Sequence, residues 1–198
     1  MFKVDKEKPS LIVIDGLKGS GKTTVANSLY NFCNELNKDV VLFYSESTKL
    51  SSKLDEFVEQ NKNIDTYSQF LLEEANRNQH IKNYINPCLE KGKDVICDQF
   101  SLSTIVYKSD VLNVDYMTSI DRGIISKLLP CNFCQVILDC KDSEANRRGN
   151  YGLEEDDKFN SQFIRLCDII TLNNIVVNAE NPTDRVTLKV KEKLGKYD

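Results

Sequence analysis

Short apolar runs alternate along the chain with longer stretches in which apolar residues recur at every third or fourth position. The first run, residues 11–14, is followed by a stretch with Val25, Leu29 and Phe32 at that spacing. An uninterrupted apolar run suits a strand buried on both faces, and the wider spacing is typical of a helix that packs by one side. The pattern predicts strands at residues 11–14, 39–44, 93–98, 134–139 and 175–177. It predicts helices at residues 24–36, 48–60, 65–91 with a break near Pro87, 102–107, 116–129, 142–148, 158–172 and 182–194.

Strands that alternate with helices predict a parallel sheet covered on both faces, which is a three-layer α/β fold. The sequence shows no internal repeat, low-complexity tract or Pro/Gly linker, so we expect one domain over residues 1–198. In such a sheet the ligand lies beyond the carboxyl ends of the strands. Glu46, residues 98–101 and Asp139 all follow predicted strands and should converge there.

Residues 16–23, directly after the first strand, match the phosphate-binding pattern G-x-x-x-x-G-K-[ST]. The glycines permit close backbone approach to phosphate, and the following helix turns its positive end toward it. In this motif the lysine, Lys22, contacts the β- and γ-phosphates and Thr23 holds Mg²⁺. The motif therefore predicts a nucleoside triphosphate site formed by Gly16, Lys18, Gly19, Ser20, Gly21, Lys22, Thr23 and Thr24.

Composition narrows the class of protein. The 26 basic and 30 acidic residues give a net charge of −4, which argues against a nucleic-acid or anionic-membrane surface. No stretch approaches a membrane span, and residues 1–10 lack the apolar region of a signal peptide, so a cytoplasmic protein is expected. The seven cysteines suit reduced core thiols. Cys131 and Cys134 have the spacing of a metal knuckle but lack two further ligands, which favours apolar packing.

Charged residues outside the phosphate loop have both functional and ordinary interpretations. Asp98 ends a strand and would orient Mg²⁺-bound water or an acceptor, or is an ordinary strand-end residue. Arg77 would bind an acceptor base or phosphate, or is a solvated helix arginine. Arg147 and Arg148 precede the polar segment 149–157 and would close over the transferring phosphoryl group, or form an exposed basic pair at a helix end.

Five segments in this order resemble the thymidylate kinase family of nucleoside monophosphate kinases over nearly the whole chain. They are LIVIDGLKGSGKTT, LLEEANRNQHI, DQFSLSTIVY, LDCKDSEANRRGNYGLEE and VVNAENPTDRV. The resemblance implies a three-layer P-loop kinase fold with a five-stranded parallel sheet flanked by helices. It further implies a Mg²⁺-dependent transfer of the γ-phosphoryl group of ATP to a deoxynucleoside monophosphate, most readily dTMP. A lid at about residues 147–157 and a homodimer are also implied.

The resemblance assigns roles to donor-side residues. Lys22 and Thr23 would bind the donor phosphates and Mg²⁺, and Asp98 would act at the metal and in catalysis. Arg147 or Arg148 would be the catalytic lid arginine.

It also assigns an acceptor site. Phe70 would stack on the acceptor base and Arg77 would hydrogen-bond it. Ser103 and Thr104 would line the thymine edge, and Tyr107 would crowd the 2′ position against ribonucleotides. On packing grounds alone, Phe70 and Tyr107 are instead apolar-face residues of their helices.

Three positions depart from the family pattern. Lys18 replaces the acidic residue that contacts the acceptor 3′-hydroxyl, Gln99 replaces the arginine that clamps the acceptor phosphate, and residues 45–48 shorten the segment after the second strand. We expect Lys18 to bind the acceptor phosphate that Gln99 cannot clamp, which places both residues in the acceptor site. Two other functions remain open: a kinase for another nucleotide or a nucleoside, and a nucleotide-binding protein with a degenerate acceptor site.

Overall fold

The computed structural model describes residues 5, 7–149, 158–170 and 173–195. Within them, five strands form one sheet in which every neighbouring pair is parallel. The strand order is β2-β3-β1-β4-β5. The strands are β1 Ser10–Gly16, β2 Val40–Tyr44, β3 Asp94–Asp98, β4 Asn132–Asp139 and β5 Asn174–Asn178. The predicted α/β fold and its parallel sheet are therefore confirmed.

Helices connect successive strands. A short 3₁₀ turn, Ser45–Ser47, follows β2, and a π-helical turn, Ile81–Ile85, joins two of the α-helices. The α-helices are α1 Lys22–Glu35, α2 Lys49–Gln60, α3 Thr66–His80, α4 Asn86–Glu90, α5 Leu102–Lys108, α6 Val114–Ile125, α7 Asp142–Gly149, α8 Lys158–Ile170 and α9 Thr183–Leu194. None of the helices in the described ranges is long and apolar enough to span a membrane.

Two apolar clusters lie on opposite faces of the sheet. Alternate residues of β1 point to opposite faces, so Ile12 and Ile14 join the larger cluster while Leu11 and Val13 join the smaller one. All seven residues of β1 are buried. This double burial explains why the strands appear in the sequence as uninterrupted apolar runs.

The expected break at Pro87 is wrong, because the chain stays helical from α3 to α4. The π turn takes up the irregularity instead, and the Asn86 N–H donates to the carbonyl of Ile81, five residues back. Pro87 then lies in the first turn of α4, directly after the π turn. The helix predicted at 116–129 begins at Val114 and ends at Ile125.

The strand order places the ligand-binding edge beside β1. The chain passes from β1 to β2 and β3 on one side and then crosses to β4 on the other. The crevice outside the carboxyl ends of the strands at such a reversal is where open α/β sheets bind ligands. The phosphate loop, which leaves the end of β1, therefore occupies this crevice.

Candidate active site

The phosphate loop adopts a conformation that depends on glycine. Gly16, Gly19 and Gly21 have φ values of 145°, 88° and 97°. A β-carbon on Gly16 would also lie 2.8 Å from the carbonyl oxygen of Leu138 on β4. Gly21 is the N-cap of α1, which begins at Lys22. The loop thus brings the first N–H groups of a helix to the carboxyl edge of the sheet.

Lys22 folds back over the loop that it follows. Its Nζ donates to the carbonyl oxygens of Gly16 at 3.1 Å and Leu17 at 2.9 Å. Burial lowers the pKa of Lys22, while the carboxylates of Asp15 and Asp98 act in the opposite direction. An ammonium group held in this way needs only to exchange carbonyl oxygens for phosphate oxygens when a nucleotide binds.

Thr23 and Asp98 meet beside this lysine. The Thr23 hydroxyl donates to Asp98 Oδ2 at 2.6 Å, while Asp98 Oδ1 is buried and without a hydrogen-bond partner in the described residues. Burial raises the pKa of Asp98, and the bond from Thr23 and the charge of Lys22 lower it in part. A buried carboxylate oxygen beside a threonine hydroxyl has the donor set that Mg²⁺ prefers. The predicted metal pair is therefore brought together.

A large cavity of about 1100 Å³ lies over the phosphate loop. Its lining includes all of the predicted donor-side residues except Gly16, which lies beneath it. Those that line it are Lys18, Gly19, Ser20, Gly21, Lys22, Thr23, Thr24, Asp98, Arg147 and Arg148. The segment after β5, from Ala179 to Thr183, forms another wall.

The two candidate lid arginines have different surroundings. Arg148 donates to the carbonyl oxygens of Ser20 at 3.3 Å and Ala179 at 2.8 Å, which ties α7 to the phosphate loop. Arg147 is largely exposed and makes a two-pronged bond to Glu144. Arg147 and Arg148 together lower the pKa of Glu144 to about 2. Of the predicted lid, residues 150–157 lie outside the described residues.

A second, smaller cavity of about 240 Å³ adjoins the first. Most of the predicted acceptor-site residues line it, namely Arg77, Gln99, Ser103, Thr104 and Tyr107. Ser103 Oγ is buried there and makes no hydrogen bond within the described part of the chain. Such an unsatisfied hydroxyl is costly unless a ligand completes it. The two cavities share a wall of four residues, Ser45, Glu46, Gln99 and Tyr107.

Phe70 is not part of this second cavity. Its side chain is completely buried in the larger apolar cluster. Phe70 lies seven residues, or about two turns, before Arg77, which places it on the same side of α3 but about 10 Å farther along the helix axis. The stacking role is therefore corrected to the core-packing interpretation. At one turn before Arg77 the cavity is lined instead by Glu73.

Arg77 is buried, and both terminal nitrogens of its guanidinium contact protein groups. One terminal nitrogen pairs with Glu74 and lies 3.7 Å from Asp121. The other donates to the carbonyl oxygen of Phe100 at 3.0 Å and to the Thr104 hydroxyl at 3.1 Å. Arg77 therefore fixes the position of Thr104 at the cavity wall rather than presenting free N–H groups from its terminal nitrogens.

Tyr107 links the second cavity to the phosphate loop. Its hydroxyl accepts a bond of 2.9 Å from the backbone N–H of Lys18, and its ring packs against Phe159 with centroids 5.2 Å apart. Tyr107 therefore packs against an apolar neighbour, as expected on packing grounds, and also lines both cavities. Lys18 itself lines the larger cavity rather than the smaller one.

Gln99 turns the chain where β3 ends. Its φ is 67°, in the left-handed region, and its N–H donates to the carbonyl oxygen of Ile14 at 3.0 Å. The residue is placed at the boundary of both cavities. Gln99 therefore lies where the two cavities meet.

The remaining candidates for metal or redox chemistry are His80 and the Cys131–Cys134 pair. His80 is buried against Thr48 and Ser51, and burial lowers its pKa to about 4, so the ring is neutral near pH 7. Cys134 is buried and its thiol pKa is raised by that burial. In the ranges that the structure describes, no cluster of three His, Cys, Asp or Glu side chains is arranged to hold a metal ion. Cys134 belongs to the larger apolar cluster, and Cys131 packs against the smaller one.

A parallel sheet with a phosphate loop at its switch point, and a second polar cavity against it, define a P-loop nucleotide-binding protein of the kinase type. A family model described as "Thymidylate kinase" matches residues 14–190. The chain therefore belongs to the thymidylate kinase family.

Individual relatives agree with this assignment. A probable thymidylate kinase of Pyrococcus abyssi is 29% identical over 202 residues, covering 92% of this chain and 96% of that protein. The thymidylate kinase of Mesoplasma florum is 33% identical over 124 residues, covering 60% of this chain and 59% of that protein. The crystal structure of thymidylate kinase from Ehrlichia chaffeensis shares the fold, with a TM-score of 0.74 at 24% identity, over 94% of this chain and 99% of that one.

Proposed function

We propose that this protein transfers the γ-phosphoryl group of ATP to dTMP, giving dTDP. The observation that carries the proposal is the pair of adjoining cavities, one over the phosphate loop and one lined by Ser103 and Thr104, which meet at Gln99 and Tyr107. A donor and an acceptor held in adjoining cavities react as an effectively intramolecular pair. Membership of the thymidylate kinase family supports the choice of dTMP.

Charge neutralisation supplies most of the catalysis in this proposal. Phosphoryl transfer passes through a loose transition state whose charge is spread over the equatorial oxygens. Lys22 would exchange its two backbone carbonyl partners for the β- and γ-phosphates. Arg147, held by Glu144 alone among the bonds described for it, is freer to reach the transferring group than Arg148. Arg148 would keep α7 against the phosphate loop.

Magnesium fits the pair formed by Thr23 and Asp98. The unsatisfied Asp98 Oδ1 and the adjacent hydroxyl would hold the ion together with phosphate oxygens and water. When bound, Mg²⁺ supplies charge neutralisation on the β- and γ-phosphates. The protein's own contribution is to hold the Asp98 carboxyl beside Thr23 and Lys22, which lower its pKa against the larger effect of burial.

The residues that would bind the acceptor phosphate depart most from the family pattern. Gln99 is a neutral residue at the boundary of the cavities, and Lys18 carries the other side-chain charge of the phosphate loop besides Lys22. We propose that Lys18 compensates for the missing arginine. The competing function, a nucleoside kinase, is favoured by the same observation, because a neutral hydroxyl acceptor needs no clamp.

The proposal is tested with a coupled assay of ADP release over all common nucleosides and monophosphates. We expect dTMP to be the best acceptor, and Lys22→Ala to lower kcat by orders of magnitude because the phosphates lose their bridging charge. Lys38→Ala, an exposed lysine beyond the end of α1, serves as the matched control and should retain activity. Acceptor-independent ATP binding without turnover would instead identify a binding protein, and preference for thymidine would identify a nucleoside kinase.

Two finer properties are proposed from the family resemblance alone. We propose that the protein is a homodimer and that it acts in the cytoplasm, where ATP and free deoxynucleotides are found. Sedimentation equilibrium measures the first directly, and a mass equal to one chain at micromolar concentration would contradict it.

A further inference from the structure

Two contacts connect α3 and α5 across the wall of the smaller cavity. Arg77 on α3 donates to the Thr104 hydroxyl at 3.1 Å, and Lys108 on α5 donates to Glu73 Oε1 at 2.8 Å. Glu73 and Arg77 are four residues apart on α3, and Thr104 and Lys108 are four residues apart on α5. Residues at this spacing share one face of a helix. All of them line the cavity.

The hydrogen-bonding character of this wall follows from the two contacts. Because the Thr104 oxygen accepts a bond from Arg77, its own proton is available to donate into the cavity. Lys108 donates one of its three N–H groups to Glu73, which leaves two N–H groups for a ligand. The Glu73 carboxylate has further lone pairs and can only accept. The wall therefore offers donors from α5 and an acceptor from α3.

Lys108 is held at the cavity rather than in solvent. Its side chain is only 13% exposed, whereas that of Glu73 is 43% exposed. The ion pair keeps the lysine charge from being buried without a partner. Glu73 also raises the pKa of Asp55, after the larger effects of burial and of Glu59. The ion pair is thus a fixed feature of the cavity, and Glu73 lies near Asp55, another carboxylate that lines it.

We propose that the Glu73–Lys108 ion pair determines the acceptor base, selecting a pyrimidine that carries two carbonyl groups on either side of a ring N–H. The carbonyl oxygens would accept from Thr104 and Lys108, and the ring N–H would donate to Glu73. Cytosine presents an amino group and an unprotonated ring nitrogen instead, which would meet Lys108 and Glu73 with the wrong polarity. The inference rests on the proposed dTMP kinase activity and names how that activity chooses its base.

Steady-state kinetics with dTMP and dCMP as acceptors test the pair. Lys108→Met should raise KM for dTMP about tenfold with KM for ATP unchanged, because one hydrogen bond from a charged donor is lost. Glu73→Gln should lower the preference for dTMP over dCMP about tenfold, since an amide can either donate or accept. Glu56→Gln removes an exposed carboxylate of α2 that does not line the cavity, and it should leave the preference unchanged.

A substrate analogue tests the same contact without any substitution. Methylation of the thymine ring nitrogen N3 removes the donor that Glu73 would accept, so N3-methyl-dTMP should be a poor acceptor for the parent protein. Equal kcat/KM for dTMP and its N3-methyl derivative in the parent would overturn the inference, as would an unchanged dTMP/dCMP preference in both variants. Failure of the parent to phosphorylate dTMP would refute the proposed function itself, which distinguishes the two outcomes.

Discussion

Replacement of Arg77 should lower the free energy of unfolding more than replacement of any other residue discussed at this site. Its side chain is 5% exposed, and its partners Glu74 and Asp121 are 2% and 0% exposed. Arg77→Leu leaves two carboxylates buried without their cation. Breaking a buried ion pair by removing one partner costs about 3–5 kcal/mol. We expect a loss of that size in the free energy of unfolding.

The loss should depend on pH in a defined direction. Burial raises the pKa of Asp121 to about 6 even though Arg77 acts to lower it. Since this pKa lies above that of the unfolded chain, Asp121 favours folding at low pH, and that contribution disappears as the pH rises toward 6. Without Arg77 the pKa of Asp121 rises further, so stability continues to fall above pH 6. The deficit of the variant should therefore be larger at pH 8 than at pH 5.

Urea unfolding at pH 5 and pH 8 measures both quantities. Arg122→Leu is a suitable control, because Arg122 on α6 makes an exposed bond to the carbonyl oxygen of Ile169. Arg77→Lys retains the charge and serves where Arg77→Leu does not fold. A deficit below about 1 kcal/mol, which is the range of exposed pairs, would refute the reasoning. A deficit that is larger at pH 5 would refute it equally.

Two further predictions concern the phosphate loop and the acceptor site. Gly16→Ala should lower Tm and abolish binding of an ATP analogue in calorimetry, because the added β-carbon would lie 2.8 Å from the Leu138 carbonyl oxygen at a φ of 145°; an unchanged Kd would contradict the loop geometry. Gln99→Arg should lower KM for dTMP by restoring a bidentate phosphate contact, and Lys18→Ala should raise it. No improvement for dTMP in Gln99→Arg, together with full activity of Lys18→Ala on thymidine, would favour the nucleoside kinase.

The fold was predictable because its signals are local. Strands buried on both faces appear as apolar runs, as in β1, and the phosphate loop has a fixed spacing of glycine, lysine and threonine. The π turn at Ile81–Ile85 was not predictable in the same way. Proline normally ends a helix, and the sequence carries no sign that a wide turn just before it would keep the helix continuous.

The site was predictable only where a motif or a family pattern marked it. Lys22 was predicted from the phosphate-binding motif, and Asp98 was predicted from its place at the end of a strand. Glu73 and Lys108 were missed because a charged pair at helical spacing is ordinarily a solvated one. The signal that was available is their position, one turn before Arg77 and one turn after Thr104 on the same helix faces. The stacking role predicted for Phe70 is wrong because the residue lies two turns before Arg77, where α3 packs on the apolar core.

The left-handed backbone of Gln99 has a consequence for protein engineering. A side chain at that conformation costs about 1–2 kcal/mol that glycine would escape. Libraries screened for heat resistance should therefore favour Gln99→Gly, yet the winner would lack the amide that borders both cavities. Selection for thermal tolerance and selection for turnover would choose opposite residues at this one position, so the two traits must be screened together.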